Sequence, residues 1–256
     1  MLSKEKEKFI FNRIENHKKE VLKIYPEYQI LGIFHYGSFN YGLANQNSDI
    51  DTKAVIIPTI EDLALHPVKT KTLIFDNGEH CEIMDIMHLV ANYKKQNINF
   101  IETLFTSYYW VNPLYEEIWN KYFIAYREDI ALYNPQYTLK STCGQAIYTL
   151  KQDKLNGKKV GNGIRLQYFL TKYFDKNTIN YLDCIQPTED IKNEILIIKN
   201  RQLRFEDKAN ELISWFEEIS KLQVKNNDKN KDNIDYIMNK GIMNLIRCCD
   251  SLISFE

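Results

Sequence analysis

Residues 36–51 read YGSFNYGLANQNSDID. Asp49 and Asp51 stand two apart, and on an extended strand residues i and i+2 share a face, so their carboxylates project side by side. Like charges at that distance repel and raise at least one pKa unless a cation lies between them. Oxygen ligands of this kind suit Mg²⁺, which keeps waters that phosphate oxygens can replace. Lys53 falls on the same face one step further and is an alternative partner for Asp51. Ten residues separate Asp49 from the Gly37-Ser38 pair. Glycine lets the backbone approach a ligand closely. Free N–H groups at a helix start, together with the Ser38 hydroxyl, form a phosphate cradle. An anion cradle beside a carboxylate pair is the equipment of nucleotide phosphoryl chemistry, where metal ions neutralise phosphate charge and activate the attacking oxygen. Alone, Asp-x-Asp is an ordinary strand edge and Gly-Ser an ordinary turn. The information lies in their joint spacing on a strand–turn–strand pattern.

The elements that must position these residues follow from hydrophobic periodicity. Residues 4–24 carry apolar side chains at Phe9, Ile10, Ile14, Val21, Leu22 and Ile24, a helical spacing. Residues 29–36 (QILGIFHY) read as a strand. Ser38 is a good N-cap for a short helical turn reaching Leu43, residues 45–48 are a turn, and 50–57 (IDTKAVII) form a second strand ended by Pro58. A short helix is expected over 59–66, then strands 71–75 and 80–84 around the Asp76-Asn77-Gly78 turn, a hairpin signal. From Ile86 the pattern suits two helices with a break near Asn97. The second half reads as helices over 114–131, 139–155, 159–175, 190–200, 205–225 and 234–254. The strands cluster instead of alternating with long helices, so the expected class is α+β, with an α/β domain over 1–110 and a helical domain over 111–256.

At 256 residues the chain can bury a core without a disulfide or metal staple. A net charge of −1 excludes a polyanion-coating protein, although a local basic groove is compatible with it. No apolar run reaches the length of about 18 needed to span a membrane, and the charged N-terminus is unlike a signal peptide. The cysteines (Cys81, Cys143, Cys184, Cys248 and Cys249) form no CxxC pair, which points to a reducing, cytoplasmic setting and away from a zinc site. KNNDKNKDN, residues 225–233, reads as a solvated loop.

The Gly-Ser, ten-residue gap and Asp-x-Asp pattern resembles the signature of the DNA polymerase β-like nucleotidyltransferase superfamily. The fuller string YGSxxYGLAxxxSDxD looks like one branch of it, the predicted nucleotidyltransferases that include a phage RNA-ligase-associated protein. Residues 80–105 are similar to that branch's acidic strand, helix and Asn-x-x-x-x-Glu helix start, with Glu102 matching its acidic residue. Residues 157–166 (GKKVGNGIRL) and 195–205 (ILIIKNRQLRF) look like two of its later stretches. The resemblance spans about residues 30–210 and is strongest at the signature.

It implies a minimal nucleotidyltransferase mixed sheet flanked by helices, with a C-terminal helical domain completing a nucleotide and acceptor cleft. It implies an NTP substrate and two Mg²⁺ ions. Gly37 and Ser38 match the phosphate-holding pair, and Asp49 and Asp51 the metal ligands. A third catalytic carboxylate comes from a neighbouring strand: Glu82, inside the strand and facing the same way as His80 and Met84, or alternatively Asp85, better placed to cap the next helix. Cations for the triphosphate are expected from Lys151, Lys154, Lys158, Lys159 and Arg165. Lys158 and Arg165 are two helical turns apart and share a face if the helix begins by Lys158. The branch often has a histidine where this chain has Asn162.

The aromatic run from Phe105 to Trp110 and His35 are read as packing residues. The activity so implied is transfer of a nucleoside monophosphate to an acceptor, an RNA or tRNA end, a protein side chain or a small molecule, with release of pyrophosphate. No membrane partner is expected. The alternative is a non-catalytic nucleotide- or partner-binding protein on the same fold, which loss of the third carboxylate would favour.

Overall fold

The computed structural model describes residues 3–44, 48–65, 70–178, 180–200, 205–225 and 228–253. Most of the expected turn over 45–48, the last residue of the expected helix 59–66, residues 201–204 of the stretch 195–205, residues 226–227 of the expected loop 225–233 and residue 254 lie outside them; from residue 228 that expected loop is instead the first turns of the last helix.

Helix α1 (Lys4–Ile24) is capped by Ser3, whose side chain accepts from the Lys6 N–H. Strand β1 (Gln29–Tyr36) leads into a 3₁₀ turn, Ser38–Tyr41. Strand β2 (Asp51–Ile57) is followed by helix α2 (Ile60–Leu65) and the hairpin β3 (Lys71–Ile74) and β4 (His80–Asp85). Gly78, at φ 86°, closes that hairpin in a conformation glycine adopts without strain. Asp85 ends β4 and caps α3 (Ile86–Lys94), its carboxylate accepting from the His88 N–H at 2.6 Å. Asn97 caps α4 (Ile98–Ile101), which is the expected break.

The sheet is mixed, in the order β3-β4-β2-β1-β5. Strand β5 (Tyr109–Val111) pairs antiparallel with β1, so part of the aromatic run is an edge strand that a three-residue pattern did not signal. Strands β1 and β2 are antiparallel and put Tyr36 level with Asp51. Strands β2 and β4 are parallel, pairing Thr52 with Cys81 and Lys53 with Glu82.

Each face of the sheet has its own core. Ile33, Ala54, Ile56, Cys81 and Ile83 pack with Ile10, Ile14 and Val21 of α1. Leu31, Phe34, Val55, Ile57 and Met84 join a core that runs through both halves of the chain as far as Cys249.

The second half is helical, as expected, with different boundaries. The single helix expected over 114–131 is α5 (Glu116–Trp119), a π turn and α6 (Arg127–Ala131). Helix α7 (Pro135–Leu150) starts earlier than expected, because Pro135 sits in the first turn, where its missing N–H leaves nothing unpaired. Then follow α8 (Gly157–Tyr173), the unexpected short α9 (Tyr181–Ile185), α10 (Glu189–Asn200), α11 (Glu206–Ile219) and α12 (Asp228–Ile253). Among the described residues no helix is long and apolar enough to cross a membrane.

The approach of α10 to α8 is very close. A Cβ added at Gly157 would lie 2.3 Å from the Ile198 carbonyl oxygen and 2.9 Å from Lys199 Cα. Those are backbone atoms, so the whole of α10 would have to move. Gly157→Ala is therefore expected to cost about 1–3 kcal/mol through overpacking. Thermal denaturation checks this, and an unchanged Tm would refute the close-approach argument.

Candidate active site

The turn after β1 needs glycine. Gly37 has φ 102° and ψ −151°, a combination that strains any residue with a Cβ. It reverses the chain so that Gly37, and not Ser38 as expected, is the cap of the 3₁₀ turn, and Ser38 is its first residue, with no side-chain cap. The Asn40 N–H returns to the Gly37 carbonyl at 3.0 Å. The Asn40 side chain accepts from Thr106 at 2.9 Å and donates to the His35 carbonyl at 3.2 Å, which pins the turn to the sheet.

His35 is fully buried below the turn, with Nδ1 3.3 Å from Asn40 Oδ1, a packed residue as expected. Burial pushes its pKa down from 6.5 to about 4, against the pull of Asn40. Asp49 precedes β2, which begins at Asp51 and not at residue 50. Ile50 between them is completely buried in the core beneath α1, and Asp49 and Asp51 border the same cleft.

That cleft has two lobes. One, of about 290 Å³, is bordered by Ser48, Asp49, Asp51, Lys158 and Lys199. The other, of about 210 Å³, is the inner one in that it reaches the buried Glu102 and Arg165, with Asn99, Gln145 and Asn162. Tyr36, Gly37, Ser38, Lys158 and Lys199 border both, so the Gly-Ser turn lies where the lobes meet.

One wall therefore carries the carboxylates, and helices α8 and α10 bring cations to the other. Lys158 and Arg165 do share the cleft face of α8. Lys151 is paired instead with Glu217 at 2.7 Å, and Lys159 Nζ donates to the carbonyls of Asp153 and Lys154. Lys199 was not singled out in sequence, although it lies in the stretch 195–205. Only its position on α10 shows that it belongs to the site.

The electrostatics of the inner lobe are unbalanced. Lys199 donates to the Leu43 carbonyl at 3.3 Å, and burial, with the nearby Lys158 and Arg165 charges, holds its ammonium below its usual range. Among the described residues no ion pair involves Lys158 or Lys199.

Arg165 is buried with its guanidinium 4.3 Å from the Tyr41 ring centroid. Its Nε and Nη2 donate to Asn162 Oδ1 at 3.2 and 3.0 Å, which gives Asn162 a role in aiming it. Nη1 of Arg165 has no hydrogen-bond partner among the described residues. Glu102 is 1% exposed and accepts from the Tyr41 hydroxyl. Burial pushes its carboxyl up to about 8, with Arg165 pulling it down, so it only partly offsets the cations. A buried orphan donor and crowded ammonium groups suit a polyanion.

Neither Glu82 nor Asp85, the two candidates for a third carboxylate beside Asp49 and Asp51, borders the cleft. Level with Asp51 on β4 is His80, whose N–H donates to Asp51 Oδ1 at 2.9 Å and whose Nδ1 lies 3.2 Å from the same oxygen. Glu82 faces the expected side of the sheet but is ion-paired with Lys53, which therefore partners Glu82 and not Asp51. Asp85 is the helix cap. Among the described residues no group of three or more His, Cys, Asp or Glu side chains converges as a metal site. Asp49 and Asp51 fit one hard cation that keeps waters and phosphate oxygens in its shell. Their surroundings do not assemble the carboxylate set for two.

No protein-family model and no curated protein matches this chain.

Two outcomes follow for this site. Inorganic tripolyphosphate at a hundredfold its Kd should raise Tm by roughly 5–10 °C, and Lys199→Met should remove most of that rise. An unshifted Tm for the unsubstituted protein would reject an anion site here. The folded pKa of His35 lies below its unfolded value, so its stability contribution is present above about 6.5 and is lost as pH falls towards 4. His35→Gln should therefore flatten the fall of Tm over that window, and an equally steep profile would show that His35 is not its source.

Proposed function

We propose that this chain is a Mg²⁺-dependent nucleotidyltransferase that moves a nucleoside monophosphate from an NTP to an acceptor hydroxyl. The observation that carries the reading is one cleft with two opposed walls: Gly37-Ser38, Asp49 and Asp51 on one, Lys158, Arg165 and Lys199 on the other. The acceptor oxygen forms a bond to the α-phosphorus. The bond from that phosphorus to the oxygen bridging to the β-phosphate breaks, its electron pair leaves with pyrophosphate, and the hydroxyl proton passes to solvent.

The Ser38 hydroxyl, presented by the Gly37 turn, holds the phosphates over the junction of the lobes. Lys158, Lys199 and Arg165 take their charge, which orients the chain of phosphates and favours the departing pyrophosphate. Asp49 and Asp51 would hold Mg²⁺, which when bound neutralises charge on the reacting phosphate. The near-neutral net charge suits an acceptor reached at a point, an RNA or tRNA end or a protein side chain, better than a long nucleic-acid track.

A second reading, nucleotide binding without turnover, is favoured by one observation: Glu82 is committed to Lys53. The deciding experiment supplies each α-³²P-labelled NTP with Mg²⁺, total RNA and a protein extract, beside an Asp49→Ala/Asp51→Ala control. Label should enter RNA or protein at least a hundredfold faster with the intact carboxylates. Mg²⁺-dependent NTP binding with no label in either fraction would favour the binding reading or a small-molecule acceptor absent from the extract over transfer to RNA or protein.

A further inference from the structure

We infer that Glu82 is the counter-ion of a buried lysine and not a metal ligand, so that the cleft takes a single divalent cation, on Asp49 and Asp51. The inference rests on the reading of those two carboxylates as a cation site and departs from the two-ion arrangement implied by the sequence resemblance.

Strand register is the first argument. In the parallel β2–β4 pair, Glu82 is level with Lys53, one side-chain step into the sheet from Asp51. The position level with Asp51 belongs to His80, which already engages Asp51 Oδ1 through its N–H and its ring.

The second argument is charge. Lys53 is 2% exposed, with Nζ 4.1 Å from the Tyr36 ring centroid and 4.2 Å from that of Phe100. Among the described residues Glu82 is its ion-pair partner. An ammonium in such a place needs a carboxylate, because removing one partner leaves an uncompensated buried charge. A cation drawn onto Glu82 would do more than remove the partner. It would set a double positive charge beside the ammonium, where little water screens the repulsion. Lys53 thus withholds Glu82 from any metal.

The test counts bound Mn²⁺ by electron paramagnetic resonance on the full chain, with no nucleotide present. The expected result is one Mn²⁺ per chain, abolished by Asp49→Asn/Asp51→Asn. Glu82→Gln should leave both count and Kd within about threefold. The same substitution should lower Tm by roughly 5–10 °C by stranding Lys53. The double variant Lys53→Met/Glu82→Gln should recover most of that loss and still bind one Mn²⁺. If Glu82→Gln proves too unstable to titrate, the double variant carries the count.

Two Mn²⁺ per unsubstituted chain, with one lost when Glu82 is replaced, would overturn the inference, as would a tenfold or greater weakening of the single site. In either case the reading of Asp49 and Asp51 would survive. No Mn²⁺ bound by the unsubstituted chain would instead sink that reading, and this inference with it.

Discussion

The antiparallel pairing of β1 with β2 brings the end of one strand level with the start of the next, Tyr36 beside Asp51. Everything at the cleft depends on that pairing. It sets the Gly37-Ser38 turn next to the carboxylates even though ten residues of chain lie between them. It holds because both faces of the strands are buried: a slip of one residue would exchange the core beneath α1 with the core shared by the helices. Ile50, fully buried on the α1 side, fixes the approach to β2 between its two acidic neighbours.

The opposite wall is built against electrostatic preference. Burial and the charges of Lys158 and Arg165 all disfavour the Lys199 ammonium, and Arg165 is buried with a donor left over. Local conflicts of this kind between burial and charge are characteristic of ligand sites, and this one is what the proposed reading draws on. The cost is borne by the packing around them. Helix α8 contributes Val160, Ile164, Leu166, Phe169 and Leu170 to the shared core, and glycine at position 157 admits α10 close enough to bring Lys199 to the cleft.

Behind β2 a second polar network locks the sheet to α1. His17, fully buried, reaches Thr52 at 2.8 Å and Glu79 at 3.1 Å, and Arg13 Nε donates to Glu79 at 2.7 Å. Together with the Lys53–Glu82 pair on the other face, it leaves the strand that carries Asp51 tied by polar contacts on both sides. Networks of this kind are costly when half satisfied and rigid when complete.

Much of this was legible in the chain. Residue types and spacing singled out Gly37, Ser38, Asp49 and Asp51, alternation gave the strands carrying or flanking them, and the two-turn separation of Lys158 and Arg165 placed both on one helix face. Those features are local, and local periodicity encodes them. The short pieces β5 and α9 were not legible, because three or five residues carry too little pattern. Nor was the arrival of Lys199, which depends on α10 crossing α8 at backbone contact. The partner of Glu82 was equally hidden. Sequence shows that a carboxylate alternates onto the correct face, but the register of β4 against β2 decides whether it stands beside Asp51 or beside Lys53. Register is set by what both faces of the sheet can bury, and only the folded chain decides that.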